Sequence, residues 1–250
     1  MRADVWTETV PVCSSDLTPH GTVSVPALCT SLQEVAGHHA DALGVSMRRL
    51  RANDQAWALS RLDIEFDRPP AWADQLTIET WPSGLDGLYA TREFVLSVDG
   101  TPVGRSTSRW FVLDTERRRP VRPPRLLYDL DPPDRAPALP HDLDALPAPE
   151  NIDHEHSWTA RYHDLDLNRH VNSTRYLEWA LRTLPDELLD THRCAGVALE
   201  FRAEATLGTP VRATAQIEET NTGQTARHAL HHGETDDLLA AARTRWQTRS

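Results

Sequence analysis

Two segments of this chain return later at almost the same interval. Leu62-Asp63-Ile64-Glu65-Phe66 matches Val197-Ala198-Leu199-Glu200-Phe201 at an offset of 135, and Ser106-Thr107-Ser108-Arg109-Trp110 matches Ala242-Arg243-Thr244-Arg245-Trp246 at an offset of 136. A one-residue change over that distance is a difference in one turn, so the halves are two copies of one unit. The fold must therefore be one that about half of a 250-residue chain can build, and whose apolar faces are covered once within each copy.

Each copy has the same order of elements. In the first, a strand-like Trp6 to Val12 leads through a polar loop to Pro26, a favoured residue in a first helical turn. Leu28, Leu32, Val35, Ala36, His39 and Leu43 then recur at helical spacing until Gly44. Strands are expected at 57–67, 74–82, 87–98 and 101–113, the last two joined by Asp99-Gly100, a hairpin signal. In the second copy a strand at 155–163 precedes a helix marked by Leu177, Ala180, Leu181 and Leu184, and strands follow at 195–205, 210–220, 223–232 and 238–247. The fold class is α+β, with an antiparallel sheet wrapping one long central helix in each copy and the two copies packed as a pseudo-dimer within one chain. Residues 114–150 hold nine of the 18 prolines, which neither donate ladder hydrogen bonds nor continue a helix, so a linker separates an N-terminal domain 1–113 from a C-terminal domain 151–250.

Composition narrows the setting. A hydrophobic content of 39% with 8 Trp is enough for a core, and no window approaches the ~18 apolar residues of a membrane span. The start, Met1-Arg-Ala-Asp-Val-Trp, has no basic region followed by an apolar run, so a soluble cytoplasmic protein is expected. Cys13, Cys29 and Cys194 form no metal spacing and read as reduced thiols. His154-Glu155-His156 puts two imidazoles on one strand face without a third ligand, His231-His232 reads as a hairpin end, and no metal or cofactor is expected. A net charge of -11 argues against nucleic-acid binding. All 26 basic residues are Arg, and five of them lie between Glu116 and Arg125.

The chemistry is concentrated before the second helix. Asp166, Asn168 and His170 place an acid, an amide and an imidazole within five residues, a set that can orient water, move a proton and stabilise an oxyanion. Singly they have bland readings: Asp166 as a turn residue, His170 as a packed histidine, Asn172 or Ser173 as the helix N-cap. Their joint occurrence within five residues, in one copy and absent from the other, favours catalysis. The first copy has Ser14-Ser-Asp-Leu-Thr-Pro-His20 in the matching place, and Pro69 opposite Glu204, so only the second half reads as catalytic and the first as acyl-pocket wall.

The run Arg161-Tyr-His-Asp164-Leu-Asp166-Leu-Asn168-Arg-His170-Val-Asn172, with Tyr176-Leu-Glu178-Trp179 and Leu199-Glu200-Phe-Arg202-Ala-Glu204, resembles the acyl-acyl carrier protein (acyl-ACP) thioesterases. Leu32-Gln33-Glu34-Val-Ala36 and Trp57-Ala-Leu-Ser-Arg61 resemble that family's first helix and next strand. The resemblance implies a tandem hotdog fold, hydrolysis of fatty acyl-ACP, an acyl carrier protein partner, no cofactor, and catalytic residues Asp166, Asn168, His170 and Glu204. The absence of the plastid enzymes' long N-terminal extension resembles the bacterial branch. Where a Cys proposed as nucleophile follows the family's Glu, this chain has Ala205, and Cys194 reads as a small buried residue.

Glu204 and His170 are expected to orient and deprotonate water, with Asn168 holding the imidazole or the water and the N–H groups at the helix start meeting the carbonyl oxygen. Asp166 is either general base or nucleophile. Glu34 reads as a polar flank; Glu178 as flank or as support for the site. Rival readings are an acyl-CoA thioesterase, an acyl-CoA hydratase, which in this fold has one more residue between Asn and His, and a non-catalytic acyl-binding module. An acidic carrier would dock on arginines of 117–125 or on Arg48, Arg49 and Arg51, and a tandem pair stands alone or forms a homodimer.

Overall fold

A computed structural model describes residues 4–140 and 144–249, and these two stretches form two compact units. The first runs β1 (Trp6–Pro11), α1 (Val25–Ala42), α2 (Met47–Arg51), β2 (Gln55–Phe66), β3 (Gln75–Asp86), β4 (Tyr89–Val98), β5 (Thr101–Asp114), β6 (Arg119–Val121) and α3 (Arg125–Tyr128). The second runs β7 (His154–Thr159), α4 (Ser173–Leu181), α5 (Asp186–Thr191), β8 (His192–Phe201), β9 (Pro210–Thr220), β10 (Gly223–His232) and β11 (Leu238–Thr248).

The sheets have one topology. In the first unit the antiparallel order is β1-β3-β4-β5-β2, with β6 added beside β5. In the second it is β7-β9-β10-β11-β8. Matching β1 with β7, β2 with β8 and so on makes the orders identical, which is the sequence repeat expressed as strand order. The Asp99-Gly100 turn forms as expected: both residues take positive φ, +50° and +75°, the backbone that a two-residue hairpin loop demands.

The helices differ more than the repeat suggested. α1 has 18 residues, is capped by Ser24 Oγ accepting from the Ala27 N–H at 3.4 Å, and buries Leu28, Leu32 and Val35 to 1% exposure each. Burial of such a side chain stabilises by about 1.5–3 kcal/mol. The second unit was expected to hold an equally long helix, but α4 has only 9 residues. Pro185 cannot donate to the carbonyl four residues earlier and its ring crowds that position, so the helix stops and α5 starts afresh behind it. Small residues line the sheet face that α4 packs against: Ala213, Ala215, Ala226, Ala240 and Ala242, on β9, β10 and β11, share that face by strand alternation and are buried to 1% or less, as Tyr176, Leu177 and Trp179 of α4 are buried to 4% or less.

The proline-rich stretch carries short elements of its own. β6 pairs with Val112 to Asp114, and α3 follows, with Leu126, Leu127 and Leu130 packed on Leu43 and Val45. Arg135 lies over the Trp81 ring at 4.0 Å and pairs with Glu79 at 2.8 Å, and the Ala138 N–H donates to the buried Glu93 carboxylate at 3.0 Å. These contacts belong to the first unit. On the second, Leu146 packs on Ala198 and Ala241 and its N–H donates to Glu200 at 2.9 Å.

Candidate active site

The segment between β7 and α4 is held by its own acids. Asp164 accepts the Arg161 N–H on its carboxylate at 2.8 Å and the Asn172 N–H on its main-chain oxygen at 2.8 Å. Two residues on, Asp166 Oδ1 accepts the backbone N–H groups of Asn168 at 2.8 Å and His170 at 3.1 Å. The Asp166 N–H donates to the His170 oxygen at 2.8 Å, closing a tight loop in which Arg169 takes φ +65°. Asp166 is thus first a loop-closing residue, as its turn chemistry allows, and Asn168 enters the loop through its N–H.

That loop is laid against the segment beyond β8. His170 bridges to Thr206, and the Val171 N–H donates to the Ala205 oxygen at 2.8 Å. The pairing brings His170 Nδ1 to 3.3 Å from Glu204 Oε1, with the two side chains 25% and 33% exposed. The strand expected through residue 205 ends at Phe201, so Glu204 sits on a loop rather than a strand. The N–H groups of Arg202 and Ala203 both donate to the Leu239 oxygen, which turns the chain out of the ladder and towards the His170 loop.

One residue of the arrangement has no role in the sequence reading. Tyr176, 3% exposed on α4, accepts the Ala205 N–H on its hydroxyl at 2.8 Å. Burial pushes its phenol up to about 12; the Ala205 N–H opposes that shift, and the charges of Glu204 and Asp166 add to it. The signal available beforehand was a tyrosine on a buried helix face, since a buried phenol seeks a hydrogen-bond partner. The helix start, in turn, is less available than expected. Asn172 is the N-cap, its Oδ1 accepting the Thr174 N–H at 2.9 Å, and the Arg175 N–H donates to the Asn172 oxygen at 2.9 Å, so neither N–H is open to a carbonyl oxygen.

The first unit builds the same loop with other side chains. The Asp16 carboxylate accepts from the Cys13 N–H at 3.1 Å, the Asp16 oxygen from the Ser24 N–H at 2.7 Å, and the Pro70 oxygen from the Val23 N–H at 2.8 Å. Gly21, at φ +72°, stands where Arg169 stands. These contacts repeat those of the second unit at an offset of 148 before the helix (Asp16 to Asp164) and 135 after it (Pro70 to Ala205). In this register Thr18 and Thr22, hydroxyls 3.1 Å apart, replace Asp166 and His170; His20 replaces Asn168 and Pro69 replaces Glu204.

Other candidates resolve into structure. Glu178 pairs with Arg175 and Arg182, Glu34 is exposed, and His156 stacks on Trp158 at 5.6 Å. His232 Nδ1 accepts the Glu234 N–H at 3.2 Å, within the β10–β11 turn. Cys194 donates to the Gly196 oxygen at 3.5 Å, and burial pushes its thiol up to about 12, which makes it a poor nucleophile.

The geometry agrees with known proteins over the whole chain. A 12:0-ACP thioesterase from Umbellularia californica superposes with a TM-score of 0.86 at 23% identity, covering 98% of each chain, which makes this a tandem hotdog protein. Residues 3–128 match the acyl-ACP thioesterase N-terminal domain and residues 148–248 the acyl-ACP thioesterase C-terminal domain. The chain belongs to the acyl-ACP thioesterase family, a family of thioester hydrolases. Oleoyl-acyl carrier protein thioesterase 2, chloroplastic, of Arabidopsis thaliana is 28% identical over 273 residues, covering 92% of this chain and 73% of the relative. Oleoyl-acyl carrier protein thioesterase 1 of the same plant is 31% identical over 223 residues, covering 80% and 60%.

Proposed function

We propose that the second unit hydrolyses the thioester of a fatty acyl chain held by acyl carrier protein, releasing the free fatty acid and ending its synthesis. The reading rests on the 3.3 Å contact between His170 Nδ1 and Glu204 Oε1 in a family of thioester hydrolases. The pair takes a proton from water as the water oxygen attacks the thioester carbonyl carbon, and returns it to the sulfur as the C–S bond breaks. The products are a carboxylic acid and a thiol, and no atom is left on the protein. Asn168 holds the imidazole or the water through its side-chain amide. Asp166 holds the loop through Oδ1, which accepts two N–H groups, and this reading assigns it no covalent step.

An acidic carrier is accommodated by exposed arginines on the first unit, Arg48, Arg49 and Arg51 of α2 and those from Arg117 to Arg125. We infer a cytosolic setting, which the three free cysteines support. The test is hydrolysis of matched acyl-ACP and acyl-CoA substrates of graded length, with Glu204→Ala as control. Faster turnover of acyl-ACP, lost in the variant, is expected; preference for acyl-CoA would replace the substrate class, and undiminished activity of the variant would remove the site.

A further inference from the structure

Arg169 holds a position that costs a side chain something. At φ +65° it lies in the left-handed region, which for a non-glycine residue without local side-chain compensation is unfavourable by about 1–2 kcal/mol. The first unit fills the equivalent position with Gly21, at φ +72°, where an added Cβ would meet nothing within 4 Å. Space therefore does not choose between the two residues. The neighbouring turn shows that both units tolerate either type, since Ala73 at φ +67° in the first stands where Gly208 at φ +84° stands in the second. What Arg169 adds to the catalytic copy is a guanidinium next to His170, exposed and with no ion pair or side-chain hydrogen bond among the described residues. Beside it the rim is apolar: Leu167 on the same loop is 76% exposed, and Leu207, next to the Thr206 that bridges His170, is 55% exposed. A ligand that carries an anionic group on an aliphatic arm would meet there both a cation and aliphatic side chains, beside the His170 and Glu204 contact.

We propose that Arg169 binds an anionic group in the carrier portion of the substrate, while Leu167 and Leu207 pack against the arm that delivers the thioester. This rests on the hydrolysis proposed above, which brings a pantetheine arm across this rim. Two sources share the chemistry: the phosphodiester of the phosphopantetheine, or carboxylates of the carrier protein at its base. In either case the salt-sensitive contact comes from the guanidinium, and Arg169→Gly, which installs the first unit's own residue, relieves the backbone rather than straining it.

The experiment measures Kd, which does not depend on turnover, by titration of the full chain with thioether analogues in which the scissile sulfur–acyl link cannot be hydrolysed. Three ligands are used: alkyl-carrier protein, alkyl-phosphopantetheine and alkyl-pantetheine. Arg169→Gly is expected to raise Kd for the carrier protein about tenfold, the worth of one charge-assisted hydrogen bond, and to flatten its salt dependence. A matching rise for phosphopantetheine and none for pantetheine assigns the phosphodiester; a rise for the carrier alone assigns its carboxylates. An equal Kd for wild type and variant, or an equal rise for all three ligands, overturns the proposal. Wild-type turnover of the acyl-ACP ester, measured alongside, reports separately on the hydrolysis.

Discussion

The hydroxyl of Tyr176 accepts the backbone N–H of Ala205 at 2.8 Å, so the helix that follows the His170 loop also fixes the residue next to Glu204. One buried oxygen ties the two halves of the site together. Tyr176→Phe keeps the ring against Trp179 and Phe201 but leaves the Ala205 N–H, on a residue 1% exposed, without its acceptor. A loss of about 1–3 kcal/mol in stability is expected by denaturant unfolding. Glu204 should also lose its register, so kcat is expected to fall while KM changes little; a variant with wild-type kcat would show that the bond is only structural.

Asp166 is separable from the nucleophile by substitution and by label. An amide oxygen can still accept the Asn168 and His170 N–H groups, so Asp166→Asn is expected to keep more activity than Asp166→Ala, in which the loop loses both bonds. In heavy-oxygen water a single turnover should label the fatty acid and leave Asp166 unlabelled. Label in Asp166 would mean a mixed anhydride.

Acid should unfold the protein through its buried histidines. His228 is fully buried, with Nδ1 3.3 Å from the Thr183 hydroxyl and Nε2 3.0 Å from that of Thr244, and burial pushes its pKa down to about 3. Burial, then the Arg92 charge, brings His39 down to about 4. Both folded values lie below the ordinary 6.5, so the unfolded chain binds these protons first. Their contribution is complete above pH 6.5 and is lost as pH falls from there towards 4 and 3. Each costs about 2 kcal/mol by pH 5. Denaturant titrations at pH 7 and pH 5 measure it, and His228→Gln should lessen the difference; an unchanged pH dependence would refute the assignment.

Cys194 tests the absence of a thiolate mechanism. Cys194→Ser is expected to retain activity, since its thiol is held at about 12 and lies away from the His170 and Glu204 contact. Alkylation at pH 7.5 should label Cys13, which is exposed, ahead of Cys194. Loss of activity in step with Cys194 labelling would reverse the conclusion.

The parts of the fold written in periodicity were readable from the chain. The β9 and β10 bounds follow from alternation and turn residues, and α1 from its apolar stripe between Ser24 and Gly44. The break in α4 was signalled by Pro185 but masked by Leu184, which continues the apolar spacing while lying beyond the helix end. Glu204 was found by family pattern, yet its departure from β8 depends on two N–H groups converging on Leu239, a contact between residues far apart in sequence. The same holds for Tyr176, whose partner lies 29 residues on. The difference between the two units needed both views: the first copy has no acid–amide–imidazole run and its repeat offset already sets Pro69 opposite Glu204, but only the matched hydrogen bonds identify Thr22 as the replacement for His170.

The central claim is that the His170 and Glu204 contact performs the hydrolysis. Steady-state kcat/KM of Glu204→Gln on acyl-ACP tests it most directly, because the amide preserves shape and removes the charge that faces His170 Nδ1 at 3.3 Å. A fall of about 10²–10⁴ with an unchanged melting curve is the expected result. Activity within threefold of wild type would contradict the account.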